Sequence, residues 1–327
     1  MIGLYPTPVA HLRSLSRPGC DLWVKRDDRT ASLYGGNKVR KLERILADAA
    51  AKRARRIVTF GAAGSHHVLA TALHGRQAGF SVAAILTPQP RTQHAVDNLR
   101  AALAAGLDAR PAAIPALIPI ALARTLGKGD YVVPPGGSSV LGALGYASAA
   151  SELADQIRTG ALPAPDAIVV ALGSGGTAAG LLAGLAREGL AARIVAVRVV
   201  HPALIGKLRT AGLAKLVAKR QGTRAGMSDL IQRLEIEPRF AGLGYGEPSP
   251  EGSRAMDLAA SEGLLLEPTY TAKAFAAALD RVARGSHGCV LFWNTFSSAP
   301  LEPLLEGATA EEDLPAGLRA LFAAPRK

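Results

Sequence analysis

The sequence predicts an α/β protein in which mostly parallel sheets are covered by helices. Short apolar runs typical of strands alternate with helical patterns along most of the chain, as in parallel sheets. With 327 residues, 49% of them hydrophobic, the chain can form two modest domains or one large one around a buried core. It contains no repeat at solenoid spacing and no low-complexity linker.

The individual elements follow from hydrophobic periodicity. A first helix is predicted where apolar residues recur at three-and-four spacing, at Val39, Leu42, Ile45, Leu46 and Ala49. Later strand-like runs lie at 57–60, 82–86, 131–133, 167–171 and 194–200. Further helices are predicted from about Val68, through Asn98 to Ala105, and from Gly142 to about Thr159. Segment 203–237 is predicted to form helices on the outside.

Charge and composition restrict the class of function. A net charge of +12 and a pI near 10.1 suit an acidic ligand, but the arginines are scattered along the chain. The densest basic run, 52–56, is typical of a solvated helix end, and aromatic residues at 5% are too sparse for base stacking. We therefore expect no nucleic-acid partner.

The chain is expected to be cytoplasmic. Cys20 and Cys289 have neither metal-ligand spacing nor the density of a disulfide scaffold, which favours a reducing compartment. The start lacks a charged leader before an apolar core, and the most apolar segment, 112–123, is too short to span a bilayer and carries two prolines. No membrane association is expected.

One lysine, Lys38, stands behind Gly35 and Gly36 at the start of the first predicted helix. The glycines permit backbone conformations that other residues resist. A lysine at this place could hold an anion by its charge and the helix dipole, or form a Schiff base with an aldehyde cofactor. A solvated surface lysine is the third interpretation.

A Gly-rich loop at 173–180 lies between a predicted strand and a predicted helix. Backbone amides in such a loop, aided by the helix dipole, can cradle a phosphate. The loop lacks the GK[ST] ending of a P-loop. It is also a poor dinucleotide fingerprint, because no acidic residue ends the next strand, which runs on to His201.

Several motifs together resemble one enzyme family. GGNKVRKLE at 35–43, preceded by LWVKRDD at 22–28, is similar to the D-cysteine desulfhydrase and 1-aminocyclopropane-1-carboxylate deaminase family of pyridoxal-phosphate enzymes. The likeness continues in order at 61–72, 135–146, 173–180, 243–247, 262–274 and 288–298. It implies the fold-type-II, tryptophan synthase β-like architecture of two domains. The larger would comprise 1–41 and 146–327, and the smaller 42–145.

The resemblance also implies the roles of individual residues. Lys38 would carry pyridoxal 5′-phosphate, Tyr270 would pack beside the pyridine ring, and Tyr245 and Ser65 would act at the substrate. The implied ligands of the 5′-phosphate are Ser174, Gly175, Gly176 and Thr177. Thr295 would keep a hydroxyl at the pyridine nitrogen.

The chain departs from the family pattern at several positions. His66 stands where the family has an asparagine that faces the cofactor's phenolic oxygen; it can still donate a hydrogen bond, but it is bulkier and titrates near neutrality. The other departures are Leu69, Ala70, Asn294, Phe296 and Ser297. Adjacent histidines at 66 and 67 point about a third of a turn apart on a helix, with no third ligand, so no metal is predicted.

The resemblance implies a lyase. It would remove the α-proton of a small amino acid and a β-substituent to give a 2-oxo acid and ammonia, most like D-cysteine desulfhydrase. A 1-aminocyclopropane-1-carboxylate deaminase is the near alternative, disfavoured because Thr271 stands where those enzymes carry an acidic residue. A cofactor-binding protein with a divergent substrate or little turnover is the alternative of another class. A homodimer is expected only through the resemblance.

Overall fold

A computed structural model of the chain describes residues 2–201, 205–285 and 288–323. Its strands, numbered β1 to β12 in chain order, are Val9–His11, Asp21–Lys25, Arg56–Ala62, Ser81–Thr87, Gln89–Pro90, Asp108–Pro111, Asp130–Val132, Ala167–Leu172, Arg193–Arg198, Leu234–Glu237, Cys289–Trp293 and Phe322–Ala323. Its α-helices, α1 to α11, are Asn37–Ala51, His66–Gln77, Gln93–Ala104, Ile118–Thr125, Val140–Arg158, Gly176–Arg187, Lys207–Arg220, Met227–Gln232, Pro250–Ser261, Thr271–Arg284 and Ala316–Arg319. Within the described ranges, no helix combines the length and apolar character needed to cross a bilayer.

The described residues fall into two compact units. The larger comprises 3–41 and 138–298, and the smaller comprises residue 2, 42–137 and 299–323. The bounds predicted from the sequence differ in two places. Residues 138–145 group with the larger unit, because α5 begins there and packs on α6. The last segment groups with the smaller unit, because β12 pairs with β5.

The larger unit is built on a six-stranded sheet in the order β1-β2-β11-β8-β9-β10. All neighbours are parallel except β1 and β2. Alternate residues of β8 contribute to two cores. Ile168 and Val170 pack with α5, α6 and α7, whereas Val169 packs with α9 and α10. A sheet covered on both faces explains why β8 is an almost continuous apolar run.

The smaller unit contains a parallel four-stranded sheet in the order β6-β4-β3-β7 and the parallel pair β5 and β12. Its helices α2 and α3 pack against each other. Thr92 caps α3 by accepting a hydrogen bond from the Ala95 amide at 3.1 Å. The α/β class with parallel sheets covered by helices is therefore confirmed.

Segment 203–237 corrects one prediction. It forms α7 and α8 as expected, but its last residues form β10, which pairs in parallel with β9 through Leu234 and Ile194. β10 is a four-residue strand at the edge of the sheet, too short to give a clear alternating pattern. The predicted residues 203 and 204 lie outside the described part of the chain.

A buried ionic network in the larger unit joins α1 to β2 and α5. Asp27 accepts two hydrogen bonds from Arg40, both at 2.8 Å, and one from the Tyr146 hydroxyl at 2.7 Å. Glu152 accepts from Lys25 Nζ at 2.5 Å and from Arg40 Nη1 at 3.0 Å. Burial would raise the pKa of Asp27, but the Arg40 guanidinium and the Lys25 ammonium together hold that pKa below its ordinary value. Through Arg40, which lies two residues after Lys38, the network anchors the start of α1 to Asp27 and to α5.

Candidate functional site

The turn before α1 brings its backbone against the segment that follows β11. Gly36 has φ +87°, a left-handed conformation that favours glycine, and a Cβ there would lie 2.6 Å from the carbonyl oxygen of Thr295. The Asn37 amide donates to the same oxygen at 3.1 Å. The glycine therefore allows α1 to begin directly beside the end of β11, with Lys38 in its first turn.

Two residues that depart from the family pattern hold this region together. Ser297 Oγ accepts a hydrogen bond from the Gly35 amide at 2.8 Å. Asn294 is buried; its Oδ1 accepts from the Phe296 amide and its Nδ2 donates to the Leu265 carbonyl, both at 3.3 Å. The side chains that replace histidine and glycine therefore have structural partners in this chain.

A single side chain, Asn37, connects the Lys38 amine to the Gly-rich loop. Lys38 Nζ donates to Asn37 Oδ1 at 2.7 Å, and Asn37 Nδ2 donates to Thr177 Oγ1 at 3.1 Å. Thr177 lies in the first turn of α6. The two motifs found in the sequence thus meet across one amide group. The sequence offered no signal for the role of Asn37 beyond its place in GGNK.

The Lys38 amine loses its proton more readily than an ordinary lysine. Burial lowers its pKa to about 8, and the negative charge of Glu267 opposes that shift. Lys41, nearby on α1, also has its pKa lowered, by burial and by the charge of Lys38. A neutral amine is the form that attacks a carbonyl carbon. These surroundings disfavour the surface-lysine interpretation.

The loop between β8 and α6 presents hydroxyls and backbone amides. Gly175 has φ +86°, and α6 begins at the next residue. The Gly176 amide donates to Ser138 Oγ at 3.1 Å, and that oxygen lies 2.7 Å from Ser174 Oγ. A Cβ at Gly176 would lie 2.5 Å from Ser138 Oγ, so glycine is what allows this hydroxyl to approach the start of α6. The arrangement suits an anionic oxygen such as that of a phosphate.

The two predicted tyrosines contact each other. The rings of Tyr245 and Tyr270 meet edge to face, with centroids 5.7 Å apart and an interplanar angle of 81°. Tyr270 also borders the Gly-rich loop, because a Cβ at Gly173 would lie 3.0 Å from its Cε1. Burial raises the pKa of both phenols. Both therefore keep the hydroxyl proton at neutral pH and can donate it in a hydrogen bond.

A buried carboxylate, Glu267, organises the start of α10. It accepts hydrogen bonds from the backbone amides of Thr269, Tyr270 and Thr271 at 2.8, 2.7 and 2.8 Å. A negative charge is favourable at a helix N-terminus. The sequence analysis missed this residue, although an acidic residue just before a helical pattern is a recognised start signal.

α10 also carries a buried lysine that the sequence analysis missed. Lys273 is 0% exposed, and its Nζ donates to the carbonyl oxygens of Ala241 at 2.8 Å and Gly244 at 2.7 Å. Burial lowers its pKa to about 8, opposed by the charges of Glu267 and Glu247. The contact links α10 to a loop that lies about thirty residues earlier in the chain.

In the smaller unit, Ser65 and His67 make structural contacts. Ser65 is the N-cap of α2, where its Oγ accepts from the His67 amide at 3.2 Å. His67 Nε2 lies 2.9 Å from Thr59 Oγ1 in the interior. His67 is therefore a packing residue, and Ser65 is fixed at the half-buried start of its helix.

His66 pairs with a histidine from α3. Its Nε2 lies 3.1 Å from His94 Nε2, and its Nδ1 lies 3.4 Å from Asn98 Nδ2, which donates to the Gly64 carbonyl at 3.0 Å. His66 and its neighbour at 67 thus face different partners. In the described ranges, no group of three or more His, Cys, Asp or Glu residues is arranged to hold a metal ion.

The structure therefore assembles part of the predicted set. The predicted residues that the larger unit brings together are Lys38, Ser174, Gly175, Gly176, Thr177, Tyr245 and Tyr270. Thr295 adjoins them through its backbone carbonyl. Ser65 and His66 belong to the smaller unit. The roles of all these residues toward a cofactor or substrate stay predictions.

Comparison with known proteins finds a matching family model, similar proteins and a similar solved structure. A family model described as "Pyridoxal-phosphate dependent enzyme" matches residues 1–292. Nocardicin C-9′ epimerase of Nocardia uniformis subsp. tsuyamanensis is 37% identical over 296 residues, 84% of this chain and 86% of that protein. D-cysteine desulfhydrase of Salmonella paratyphi A is 34% identical over 305 residues, 89% of this chain and 91% of that protein. A crystal structure of an "ACC deaminase homologue" matches with a TM-score of 0.79 and 30% identity, covering 94% of this chain and 95% of that one.

Proposed function

Because this chain belongs to the family of pyridoxal-phosphate dependent enzymes, we propose that it is a lyase that removes the α-proton and a β-substituent from a small amino acid. The activity would be most like that of D-cysteine desulfhydrase, in which D-cysteine and water give pyruvate, ammonia and hydrogen sulfide. One observation carries the proposal. The Lys38 amine, with its pKa lowered to about 8, is joined through Asn37 to a loop that suits a phosphate.

The residues of the larger unit fit pyridoxal 5′-phosphate. Lys38 would hold its aldehyde carbon, and the segment 174–177 would hold its phosphate, where the Ser174 hydroxyl and the left-handed Gly175 precede the first turn of α6. Tyr270 would flank the ring, and the Thr295 hydroxyl would face the pyridine nitrogen. When bound, the cofactor supplies a conjugated ring that accepts the electron pair left at the α-carbon.

The protein's own residues would handle the protons and orient the substrate. Lys38 Nζ in its neutral form would accept the α-proton, and a pKa of about 8 suits a group that both takes and returns a proton near neutrality. Tyr245, which keeps its hydroxyl proton, and Ser65 would orient the substrate. His66 would donate to the cofactor's phenolic oxygen.

The test is product formation by the purified holoenzyme. D-cysteine, L-cysteine and 1-aminocyclopropane-1-carboxylate are each incubated with the enzyme, and the 2-oxo acid and ammonia are measured alongside visible absorbance. We expect pyruvate from D-cysteine, with little product from the cyclopropane acid because Thr271 replaces an acidic residue. Lys38→Ala serves as the control. Equal pyruvate release by that variant would overturn the proposal.

Epimerisation at the α-carbon is a second candidate function, favoured by the relative that is 37% identical and named as an epimerase. It uses the same proton removal but retains the β-substituent. Running the assay in deuterium oxide separates the two candidates. Deuterium in the recovered amino acid with inverted chirality, and no 2-oxo acid, would support epimerisation. Absence of both products with the cofactor bound would favour a protein of little turnover.

We also propose a cytoplasmic homodimer. The cysteine usage of the sequence favours a reducing compartment. The expectation of a dimer rests on the family resemblance alone. Sedimentation of the holoenzyme measures the oligomeric state, and a monomer at micromolar concentration would contradict this expectation.

A further inference from the structure

Loop 241–246 carries Tyr245 on an unusual backbone. Gly242, Gly244 and Gly246 have φ values of +59°, +121° and +80°. Residues other than glycine rarely adopt such values. The three glycines therefore allow this loop conformation, but they allow many others as well. Glycine-rich segments lose much conformational entropy on ordering. A contact outside the loop is needed to hold it in one arrangement.

Lys273 supplies that contact. Its buried Nζ donates to the carbonyl oxygens of Ala241 at 2.8 Å and Gly244 at 2.7 Å, on either side of Gly242. A Cβ at Gly242 would lie 3.9 Å from the same Nζ. Hydrogen bonds from a charged donor are about twice as strong as neutral ones. The bond to Gly244 holds the residue directly before Tyr245, and the bond to Ala241 holds the start of the loop.

The same helix start carries the aromatic partner of Tyr245. Tyr270 is the N-cap of α10, and Lys273 lies in the first turn. Glu267 fixes Tyr270 by accepting a hydrogen bond from its amide at 2.7 Å. One rigid element therefore sets the position of Tyr270 and of the loop that presents Tyr245.

We propose that Lys273 is a positioning residue, whose side-chain ammonium fixes loop 241–246 so that Tyr245 meets Tyr270 in the arrangement that binds the amino-acid substrate. The inference rests on the proposed function, because it takes Tyr245 as a substrate contact. Lys273 itself touches neither substrate nor cofactor in this account. Its removal therefore affects amino-acid binding through Tyr245, while the cofactor stays held by Lys38 and the Gly-rich loop.

The experiment is a double-mutant cycle on the holoenzyme with Lys273→Met, Tyr245→Phe and the double variant. Cofactor content, the affinity for an amino acid measured by its effect on visible absorbance, and KM and kcat are determined for each. We expect Lys273→Met to weaken amino-acid binding by about 10- to 100-fold, the value of a hydrogen bond to a charged group, with cofactor content unchanged. Tyr245→Phe should add little in the Lys273→Met background, because the hydroxyl is already misplaced.

Two matched variants separate positioning from general stability. Lys273→Arg keeps a charged donor and should restore much of the binding. Arg281→Met removes another buried cation of α10, paired with Glu235 away from the site, and should lower stability without raising KM. If Lys273→Met does not accumulate as folded protein, Lys273→Gln enters the same cycle.

Backbone amide exchange gives a readout that is independent of activity. Peptides covering loop 241–246 should exchange faster in Lys273→Met than in the wild-type enzyme, with α10 unchanged. Unchanged loop exchange, or additive losses in the cycle together with loss of cofactor, would overturn the inference. A wild-type protein that binds no visible cofactor would instead refute the proposed function, and the exchange comparison would still report on the Lys273 contact.

Discussion

We expect Lys38 of the cofactor-free enzyme to react as an amine whose pKa is about 8 rather than the ordinary 10.5. The perturbation is pH. At pH 7 a pKa of about 8 leaves roughly 9% of the amine neutral, against roughly 0.03% for an ordinary lysine. The reactive form is therefore about 300-fold more populated. The rate of amine modification should rise about tenfold per pH unit up to pH 7 or so and level off above about pH 8.

The assay is competitive labelling with trinitrobenzenesulfonate, followed by peptide mass spectrometry of the Lys38 peptide. A lysine derivative in the same tube corrects for the reagent's own dependence on pH. Restricted access to a half-buried amine lowers every rate equally, so the pH at half-maximal rate reports the pKa alone. A Lys38 rate that rises in parallel with the free lysine derivative through pH 10 would refute the reasoning, because burial would then have no effect on the amine.

Three substitutions test other parts of the site. Glu267→Gln removes the charge that opposes the effect of burial, so the labelling midpoint of Lys38 should move to lower pH in the same assay; an alkaline shift would contradict the assigned sign. Gly36→Ala should lower the free energy of unfolding, measured in urea, by at least about 1 kcal/mol more than Gly160→Ala does. Both glycines have positive φ, but only Gly36 has backbone atoms within 4 Å of the added Cβ. Equal losses for the two variants would show that the close approach is unimportant. Glu152→Gln should lower the free energy of unfolding by about 3 kcal/mol at pH 7, because it removes the charge that pairs with the buried Lys25 and Arg40. Urea denaturation giving a change near zero would contradict this.

Local periodicity predicted the helices α1, α2, α3 and α5 and the strands β3, β4, β7, β8 and β9, because it depends only on neighbouring residues. The apolar positions foreseen for the first helix, Val39, Leu42, Ile45, Leu46 and Ala49, are all buried. The long helix expected from Gly142 to about Thr159 is α5, which begins at Val140 after a Ser139 cap. In both cases the pattern extends over several turns, which makes the helical interpretation reliable.

Long-range pairing could not be predicted from the sequence. The sequence predicts helix through the residues of β10 because four residues give too little alternation, whereas their strand character comes from pairing with β9. The last segment was assigned to the larger domain, whereas β12 pairs with β5 through Phe322 and Gln89. A partner more than two hundred residues away leaves no mark on the local sequence.

The same limit applies to the site. Lys38 and the Gly-rich loop were found because each is a compact motif, and the family resemblance gave them roles. Asn37, Ser138 and Lys273 were missed because their function is to join elements, and their partners lie far away in the chain. Only the folded chain shows that an amide, a hydroxyl and an ammonium bridge the motifs.

The pairing of β2 with β11 has a consequence for synthesis on the ribosome. β2 ends at Lys25, whereas its parallel neighbour β11 begins at Cys289. At a synthesis rate of about 5–20 residues per second, β11 is made roughly 15 to 50 s after β2. The turn before Lys38 waits for the same reason, because the Asn37 amide bonds to Thr295. Lys38 is thus translated more than 250 residues before Thr295, whose carbonyl holds the turn in front of it.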